Sequence, residues 1–258
     1  HPLWLLDRIE AAYVDQTNQI LAANQVEPPM TLRVNVRQTS RDDYLELLKG
    51  AGIVARPGKL ATTSIYLETP RPVDALPGFA DGLASVQDEA SQMIPDLLNL
   101  RPGLRVLDAC AAPGGKTCAI LETHDDIQLT ALDKETKRTA IIHDNLRRLN
   151  LTCDVEAGDL LQYQPDELYD RILLDVPCSA TGIIRRHPDI KLLRLDSDID
   201  KLAATQEELL AKAWSLLCTN GELLYSTCSI LPNENQGIVE QFLLNHADAR
   251  AIPIESDE

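Results

Sequence analysis

Aromatic side chains and long apolar runs are scarce in this 258-residue sequence. Two Trp, six Tyr and two Phe are too few to suggest a sheet surface on which RNA bases stack. The longest strictly apolar runs, such as Leu3–Leu6, have about four residues, whereas a membrane-spanning helix needs about 20. No basic segment followed by an apolar one resembles a secretory signal. These absences argue against a membrane protein, and we expect a soluble protein of the cytoplasm.

Cysteine patterns that bind metals or form disulfides are also absent. None of the six cysteines belongs to a C-x-x-C pair or to the compact Cys/His spacing of zinc sites. We therefore predict no metal, and we interpret Cys118, Cys153 and Cys218 as free thiols that pack as small apolar side chains. Cys178 and Cys228 differ, because each directly follows a strand-like segment.

Positive charge is in short supply. The chain has 24 Lys and Arg against 40 Asp and Glu, a net charge of −16, which argues against a broad basic surface for nucleic acid. One segment, Pro177–Arg194, departs from this balance with four basic residues and a single acidic one. Its candidate RNA-binding residues are Arg185, Arg186, His187 and Lys191. The alternative is an ordinary solvated loop.

Strands and helices alternate regularly after residue 85. The predicted strands are Arg105–Asp108, Gln128–Leu132, Cys153–Glu156, Arg171–Asp175 and Gly221–Ser226, and the helices between them lie near Lys116–Glu122, Lys134–Leu149, Asp200–Leu217 and Glu234–Asn245. This alternation is typical of an α/β fold with a doubly wound, mostly parallel, Rossmann-like sheet, whose ligands bind at the carboxyl ends of the strands.

The first part of the chain is predicted to form a smaller α+β domain. Its elements are a helix at Leu3–Tyr13, a strand at Thr31–Val36, a helix at Arg41–Lys49 and a strand at Ile65–Leu67. A segment rich in Pro and Gly follows, over residues 69–82. We therefore predict two domains, residues 1–84 and residues 85–258.

A loop of small residues, Ala109–Gly115, joins a predicted strand to a predicted helix. Small residues let the backbone approach a ligand, and a helix start offers unpaired N–H groups. The Gly-Lys-Thr at the end of this loop suggests a phosphate-binding P-loop, but that motif needs Gly where Cys110 stands. The loop therefore favours a ligand that the backbone contacts closely and that carries no phosphate.

Three carboxylates end or follow successive predicted strands. Asp133 is placed to accept hydrogen bonds from two ribose hydroxyls, Asp159 from a purine amine, and Asp175 ends the next strand. This set fits an adenosine that carries amino and sulfonium groups, namely S-adenosylmethionine. The alternative is that each Asp caps the helix that follows its strand.

Five segments together carry a resemblance to a known family. They are DACAAPGGKT (108–117), LLDVPCSATGIIRRHPDIK (173–191), YSTCSILPNEN (225–235), PPMTLRVN (28–35) and SVQDEASQ (85–92). The sequence resembles the NOL1/NOP2/Sun family of RNA cytosine-5 methyltransferases, and within it the bacterial 16S rRNA enzymes of the Sun/Fmu/RsmB type.

The resemblance implies a role for each matching residue. Cys110, Ala111, Ala112, Pro113, Gly114, Gly115 and Lys116 would form the S-adenosylmethionine loop, and Asp133, Asp159 and Asp175 would contact the cofactor or the reacting base. Cys228 would be the nucleophile, and Cys178 would assist product release. Residues 1–84 would form the family's small domain, which resembles an RNA-recognition motif. The implied partner is 16S rRNA, bound by a monomer without a metal.

Two departures from the bacterial rRNA subtype lead us to expect a fragment. A NusB-like helical domain is missing before the first segment, and so is a final Gly-Asp-Gly-Phe-Phe strand. The missing domain and strand would affect the RNA affinity and the stability of the fragment rather than the chemistry of methyl transfer.

Independently of the resemblance, the chemistry of cytosine C5 methylation requires a thiol and an acidic side chain. C5 becomes nucleophilic only when a soft nucleophile, such as a thiolate, adds at C6. A hydrogen-bond donor at N3 stabilises the developing charge, and Asp175 is the candidate. DNA cytosine-5 methyltransferases use a Pro-Cys thiol instead, so the residues alone leave the assignment between Cys178 and Cys228 open. Two alternatives remain for function: the same reaction on tRNA, and a non-catalytic RNA-binding assembly factor.

Overall fold

A computed structural model describes residues 1–254 and divides the chain into two compact units. We call residues Pro29–Leu173 and Leu216–Leu224 the sheet unit. We call residues His1–Pro28, Leu174–Ser215 and Tyr225–Glu258 the cysteine unit, because it contains Cys178 and Cys228.

Ten α-helices and nine strands make up the regular structure of the described residues. The helices are α1 (Leu3–Ala12), α2 (Thr17–Ala23), α3 (Arg41–Gly50), α4 (Glu89–Gln92), α5 (Ile94–Leu97), α6 (Gly115–Thr123), α7 (Thr136–Leu149), α8 (Ile190–Leu193), α9 (Asp196–Trp214) and α10 (Gln236–Asn245). The strands are β1 (Met30–Val34), β2 (Ala55–Pro57), β3 (Ser64–Leu67), β4 (Ala84–Val86), β5 (Arg105–Ala109), β6 (Gln128–Asp133), β7 (Asp154–Ala157), β8 (Tyr169–Asp175) and β9 (Leu217–Ser226).

A four-stranded antiparallel sheet of order β2-β3-β1-β4 begins the sheet unit. Ser40 directly precedes α3, and its hydroxyl accepts the Asp43 N–H, which caps the start of the helix. The buried Tyr44 and Leu48 of α3 pack with Leu32 and Ile65 of the strands. Because β4 pairs with β1, this sheet extends to residue 86. The division of the chain after residue 84 stays a prediction.

The second sheet of this unit has five strands in the order β7-β6-β5-β8-β9, with β5 parallel to β6 and β6 parallel to β7. Its core includes Val106, Ala131 and Leu173 from the strands, together with Ile120 of α6 and Ile142 of α7. Both faces of this sheet are covered, because Val106 and Leu107, which point to opposite faces of β5, are both fully buried. The predicted doubly wound α/β fold is confirmed.

The cysteine unit is helical apart from the ends of two strands. Leu5 and Ile9 on α1 are fully buried and pack with Ile184, and the Tyr13 hydroxyl donates to the carbonyl of Ile230. The last two residues of β8 and of β9 belong to this unit, so both cysteine motifs start directly where a strand ends. Among residues 1–254, no helix combines the length and the apolar character that crossing a membrane requires.

Candidate active site

The loop between β5 and α6 contains two residues with a left-handed backbone conformation. Cys110 (φ 63°) and Gly114 (φ 92°) both adopt the left-handed region, and Gly114 caps α6. A Cβ at Gly114 would lie 3.2 Å from Ile142, so a side chain there is disfavoured by crowding as well as by the positive φ. Side chains of α7 secure the loop, because Arg138 and Asn145 donate to the carbonyls of residues 112 and 113 at 2.7 and 2.9 Å.

Asp133, at the end of β6, belongs to the same arrangement. One carboxylate oxygen accepts the Ala112 N–H at 3.0 Å and the other accepts the Glu135 N–H at 3.1 Å. The side chain is only 2% exposed. Each carboxylate oxygen has a second acceptor site, so Asp133 can hold the loop and still accept a ligand hydroxyl.

Asp159 follows β7 and caps a short 3-10 turn by accepting the Leu161 N–H. Lys134, which follows Asp133 in the chain, donates to the Asp159 carboxylate at 2.8 Å. This hydrogen bond holds the pKa of Asp159 below its usual value. The carboxylate is therefore an acceptor at neutral pH, as a contact with a ligand amine requires.

Two further contacts of the loop lie outside the predicted site. The fully buried Asp108 accepts the hydroxyl proton of Thr117, which joins the end of β5 to α6. Arg33 of β1 donates to the Gly115 carbonyl at 2.8 Å and forms a two-pronged ion pair with Glu122 at 2.7 and 2.8 Å. Arg33 and Glu122 are 3% and 2% exposed, so Arg33 holds the start of α6 through the Gly115 carbonyl and its end through a buried charge pair.

These residues fit S-adenosylmethionine. The loop over Cys110–Lys116 offers a backbone that a ligand can approach, and Asp133 and Asp159 supply two acceptors at successive strand ends. The structure brings these residues together within the sheet unit. Asp175, the last residue of β8, is half-buried and belongs to the cysteine unit.

The two candidate catalytic thiols lie side by side in the cysteine unit. The Sγ atoms of Cys178 and Cys228 are 3.3 Å apart, and the Cys228 N–H points to the Cys178 Sγ at 3.4 Å. The Val176 N–H donates to the Ser226 carbonyl, which joins the ends of the neighbouring strands β8 and β9 from which the motifs start.

The two thiols differ in accessibility, and the contact between them affects the pKa of Cys178. Cys178 is buried and Cys228 is exposed. The hydrogen bond with the Cys228 thiol lowers the pKa of Cys178, although burial acts in the opposite direction. The arrangement therefore offers one exposed thiol that an incoming base can reach and, in contact with it, a buried thiol with a lowered pKa.

The remaining cysteines have no such arrangement. All six cysteines are free thiols, and burial raises the pKa of both Cys118 and Cys153 to about 12. The prediction that Cys118, Cys153 and Cys218 are free thiols is confirmed. Residues 1–254 contain no group of three or more His, Cys, Asp or Glu side chains placed to hold a metal ion.

The positive segment after Cys178 is a surface loop that ends in α8. Arg185 and His187 are exposed, and Arg186 and Lys191 are partly exposed. Arg194 differs, because its guanidinium donates to the backbone carbonyls of Cys178 and Ser179 at 3.2 and 3.3 Å. Arg194 thus anchors the loop to the cysteine motif, and four candidate RNA contacts remain.

Comparison with family models gives two matches. A model described as 16S rRNA methyltransferase RsmB/F matches residues 95–258, and a model of the ferredoxin-like domain of RsmF/B-like methyltransferases matches residues 1–74. The first of these covers more than half of the chain.

Individual relatives agree with the family models. Ribosomal RNA small subunit methyltransferase B of Pseudomonas syringae pv. tomato is 50% identical over 98% of this chain and 58% of its own length. A methyltransferase homolog protein from Pyrococcus horikoshii is similar in structure, with a TM-score of 0.80 and 30% identity over 93% of this chain and 77% of its own. The crystal structure of PH0851 has a TM-score of 0.95 at 27% identity, over 99% of this chain and 59% of its own. The chain spans about three-fifths of the length of the curated relatives it matches.

Proposed function

Because the chain belongs to the RsmB/F family of 16S rRNA methyltransferases, we propose that it transfers a methyl group from S-adenosylmethionine to C5 of a cytosine in 16S rRNA. The transfer proceeds through a covalent bond between Cys228 and C6 of the base. The observation that supports this proposal is the pair of thiols 3.3 Å apart, one exposed and one buried. A scaffold that only binds RNA has no use for two thiols in this arrangement.

Exposure favours Cys228 over Cys178 as the nucleophile. A cytosine must leave its stack to reach an enzyme thiol, and the exposed Cys228 Sγ is the one it meets. The Cys228 thiolate adds to C6, which breaks the C5–C6 double bond and makes C5 nucleophilic. In its protonated form Asp175 donates a hydrogen bond to N3 and stabilises the charge that develops in the ring.

Methyl transfer leaves C5 with both a methyl group and a proton. S-adenosylmethionine would be held by the 110–116 loop with Asp133 and Asp159, and it would supply an electrophilic methyl group to C5, with S-adenosylhomocysteine as the leaving group. Cys178, with its lowered pKa, assists removal of the C5 proton. The electron pair of the C5–H bond then restores the double bond, the S–C6 bond breaks, and Cys228 leaves as thiolate.

Bisulfite sequencing tests this proposal. RNA from a strain that lacks the gene should lose a 5-methylcytosine in 16S rRNA, and the purified protein with S-adenosylmethionine should restore it. A lost 5-methylcytosine in tRNA would instead identify the tRNA alternative. Loss of no modification, with ribosome assembly impaired, would favour the assembly factor.

Cofactor affinity should depend on Asp133. We expect Asp133→Ala to weaken S-adenosylmethionine binding by about 1–3 kcal/mol, because it removes charge-assisted hydrogen bonds to the ligand. Isothermal titration calorimetry measures this loss. Asp154→Asn, on the exposed edge of the same sheet, is the control and should bind normally. Binding of ATP without binding of S-adenosylmethionine would contradict the cofactor assignment.

RNA affinity should depend on the loop that follows Cys178. Replacing Arg185 and Arg186 together by Ala should weaken RNA binding and reduce its salt dependence by about one unit of slope per lost phosphate contact. Filter binding over a series of salt concentrations measures the slope. The double variant Lys137→Ala and Arg147→Ala removes the same charge from exposed positions of α7 and should leave the slope unchanged. An unchanged slope in the loop variant would identify a solvated loop.

A further inference from the structure

A buried carboxylate, Glu234, connects the two cysteine motifs. It is 0% exposed and lies in the segment that leads into α10. One of its oxygens accepts the Ser179 N–H at 2.7 Å, and the other accepts the hydroxyl protons of Ser179 and Ser229. Ser179 and Ser229 are the residues that directly follow Cys178 and Cys228, so a single carboxylate holds both motifs at equivalent positions.

The side chains around this carboxylate reinforce the same connection. Gln206 of α9 donates to Glu234 at 3.1 Å and to the carbonyl of Pro177 at 2.9 Å. Asn235 donates to the Ser229 carbonyl at 2.9 Å, and its own side-chain oxygen accepts the Thr227 hydroxyl. The residue before each cysteine and the residue after it are therefore both fixed.

Because Glu234 is buried, its carboxylate depends on the hydrogen bonds that it accepts from neighbouring residues. Removing a carboxylate from water is costly unless hydrogen bonds replace its hydration, and Glu234 accepts four from Ser179, Ser229 and Gln206. A Gln side chain of the same size has one acceptor oxygen and an NH2 group, which cannot accept from a hydroxyl. Depending on how the amide is turned, either the two serine hydroxyls at one oxygen position or the Ser179 N–H and Gln206 at the other would then lose their acceptor.

We infer that Glu234 is a positioning residue that sets the separation of the Cys178 and Cys228 thiols. The inference rests on the proposed function in one respect: the separation of the thiols affects methyl transfer only if both thiols take part in it. Glu234 itself acts through Ser179 and Ser229. Its effect on the thiols is measurable without RNA or cofactor.

Disulfide formation between the two thiols reports their separation directly. The oxidant diamide takes up two electrons and two protons as the thiols of Cys178 and Cys228 join. We expect Glu234→Gln to slow this step by about tenfold or more, because a displacement of about 1 Å can cost a reaction between positioned groups up to a hundredfold. Peptide mapping by mass spectrometry identifies the bond, and circular dichroism confirms that the variant is folded.

Two further variants keep the test decisive. Ser229→Ala removes one donor and leaves the others in place, so it should slow the oxidation even if Glu234→Gln fails to fold. Glu240→Gln, on the exposed face of α10, is the matched control and should oxidise at the wild-type rate. Wild-type oxidation rates in folded Glu234→Gln and Ser229→Ala would overturn the inference. Failure of the wild-type protein to methylate RNA would contradict the proposed function alone, because oxidation of the thiols requires neither RNA nor methyl transfer.

Discussion

A Cys228→Ser variant should methylate no RNA and form no covalent RNA adduct. A hydroxyl is almost entirely protonated at neutral pH, so it cannot add to C6 of the cytosine as a thiolate does. Cys178→Ser should behave differently, because C6 addition and methyl transfer remain possible while removal of the C5 proton slows. A protein–RNA complex that survives denaturant should therefore accumulate in Cys178→Ser and be visible as a shifted band on a denaturing gel.

Cys218→Ser is the control for these variants. The Cys218 thiol donates to the Asp170 carboxylate, and a serine hydroxyl can do the same, so activity should be retained. The opposite pattern, with adducts in Cys228→Ser and none in Cys178→Ser, would identify Cys178 as the nucleophile. Full activity in both variants would show that neither thiol takes part in catalysis.

Replacing Arg33 by Met should lower the free energy of unfolding by about 3–5 kcal/mol. The substitution leaves the Glu122 carboxylate, which is 2% exposed, buried without its cation, and it removes the donor to the Gly115 carbonyl. Urea unfolding followed by circular dichroism measures the loss. Because Gly115 starts α6, the variant should also bind S-adenosylmethionine more weakly.

Arg147→Met provides the matched control. Arg147 and Asp144 pair on the surface of α7, with side chains 76% and 70% exposed, and such pairs contribute about 0–1 kcal/mol. Adding Glu122→Leu to Arg33→Met should recover part of the loss, because the unpaired charge is then removed as well. A folding free energy within about 1 kcal/mol of wild type in Arg33→Met alone would show that water reaches Glu122.

The strands of the large sheet were predictable because their buried residues form short apolar runs between turn signals. β9 is the instructive exception. The sequence predicts its start at Gly221, whereas the strand begins at Leu217. Asn220, with a φ of 64°, and Gly221 are typical of turns, and here they lie within a strand. β2 and β4 have three residues each, too few to show any periodicity.

The candidate site was predictable where residues follow strands and unpredictable where they meet across the fold. Strand ends explain why Cys178 and Cys228 could be placed together. Glu234 lies within a motif that the family resemblance includes, yet its partner Ser179 is 55 residues away. Arg33 and Glu122 are 89 residues apart. A charged residue in a sequence is typical of the surface, and nothing in the pattern indicates that these are buried.

The contact between α1 and the segment after Cys228 has a consequence for synthesis on the ribosome. Tyr13 and Ile230 are 217 residues apart in the chain and adjacent in the fold. At about 5–20 residues per second, Ile230 is added about 10–40 s after Tyr13. Until Ile184 and Ile230 have been added, the apolar side chains of Leu5 and Ile9 lack part of the surface that buries them in the finished protein. Helix α1 is thus synthesised well before the residues that it packs against, and its apolar face stays exposed to water until they follow.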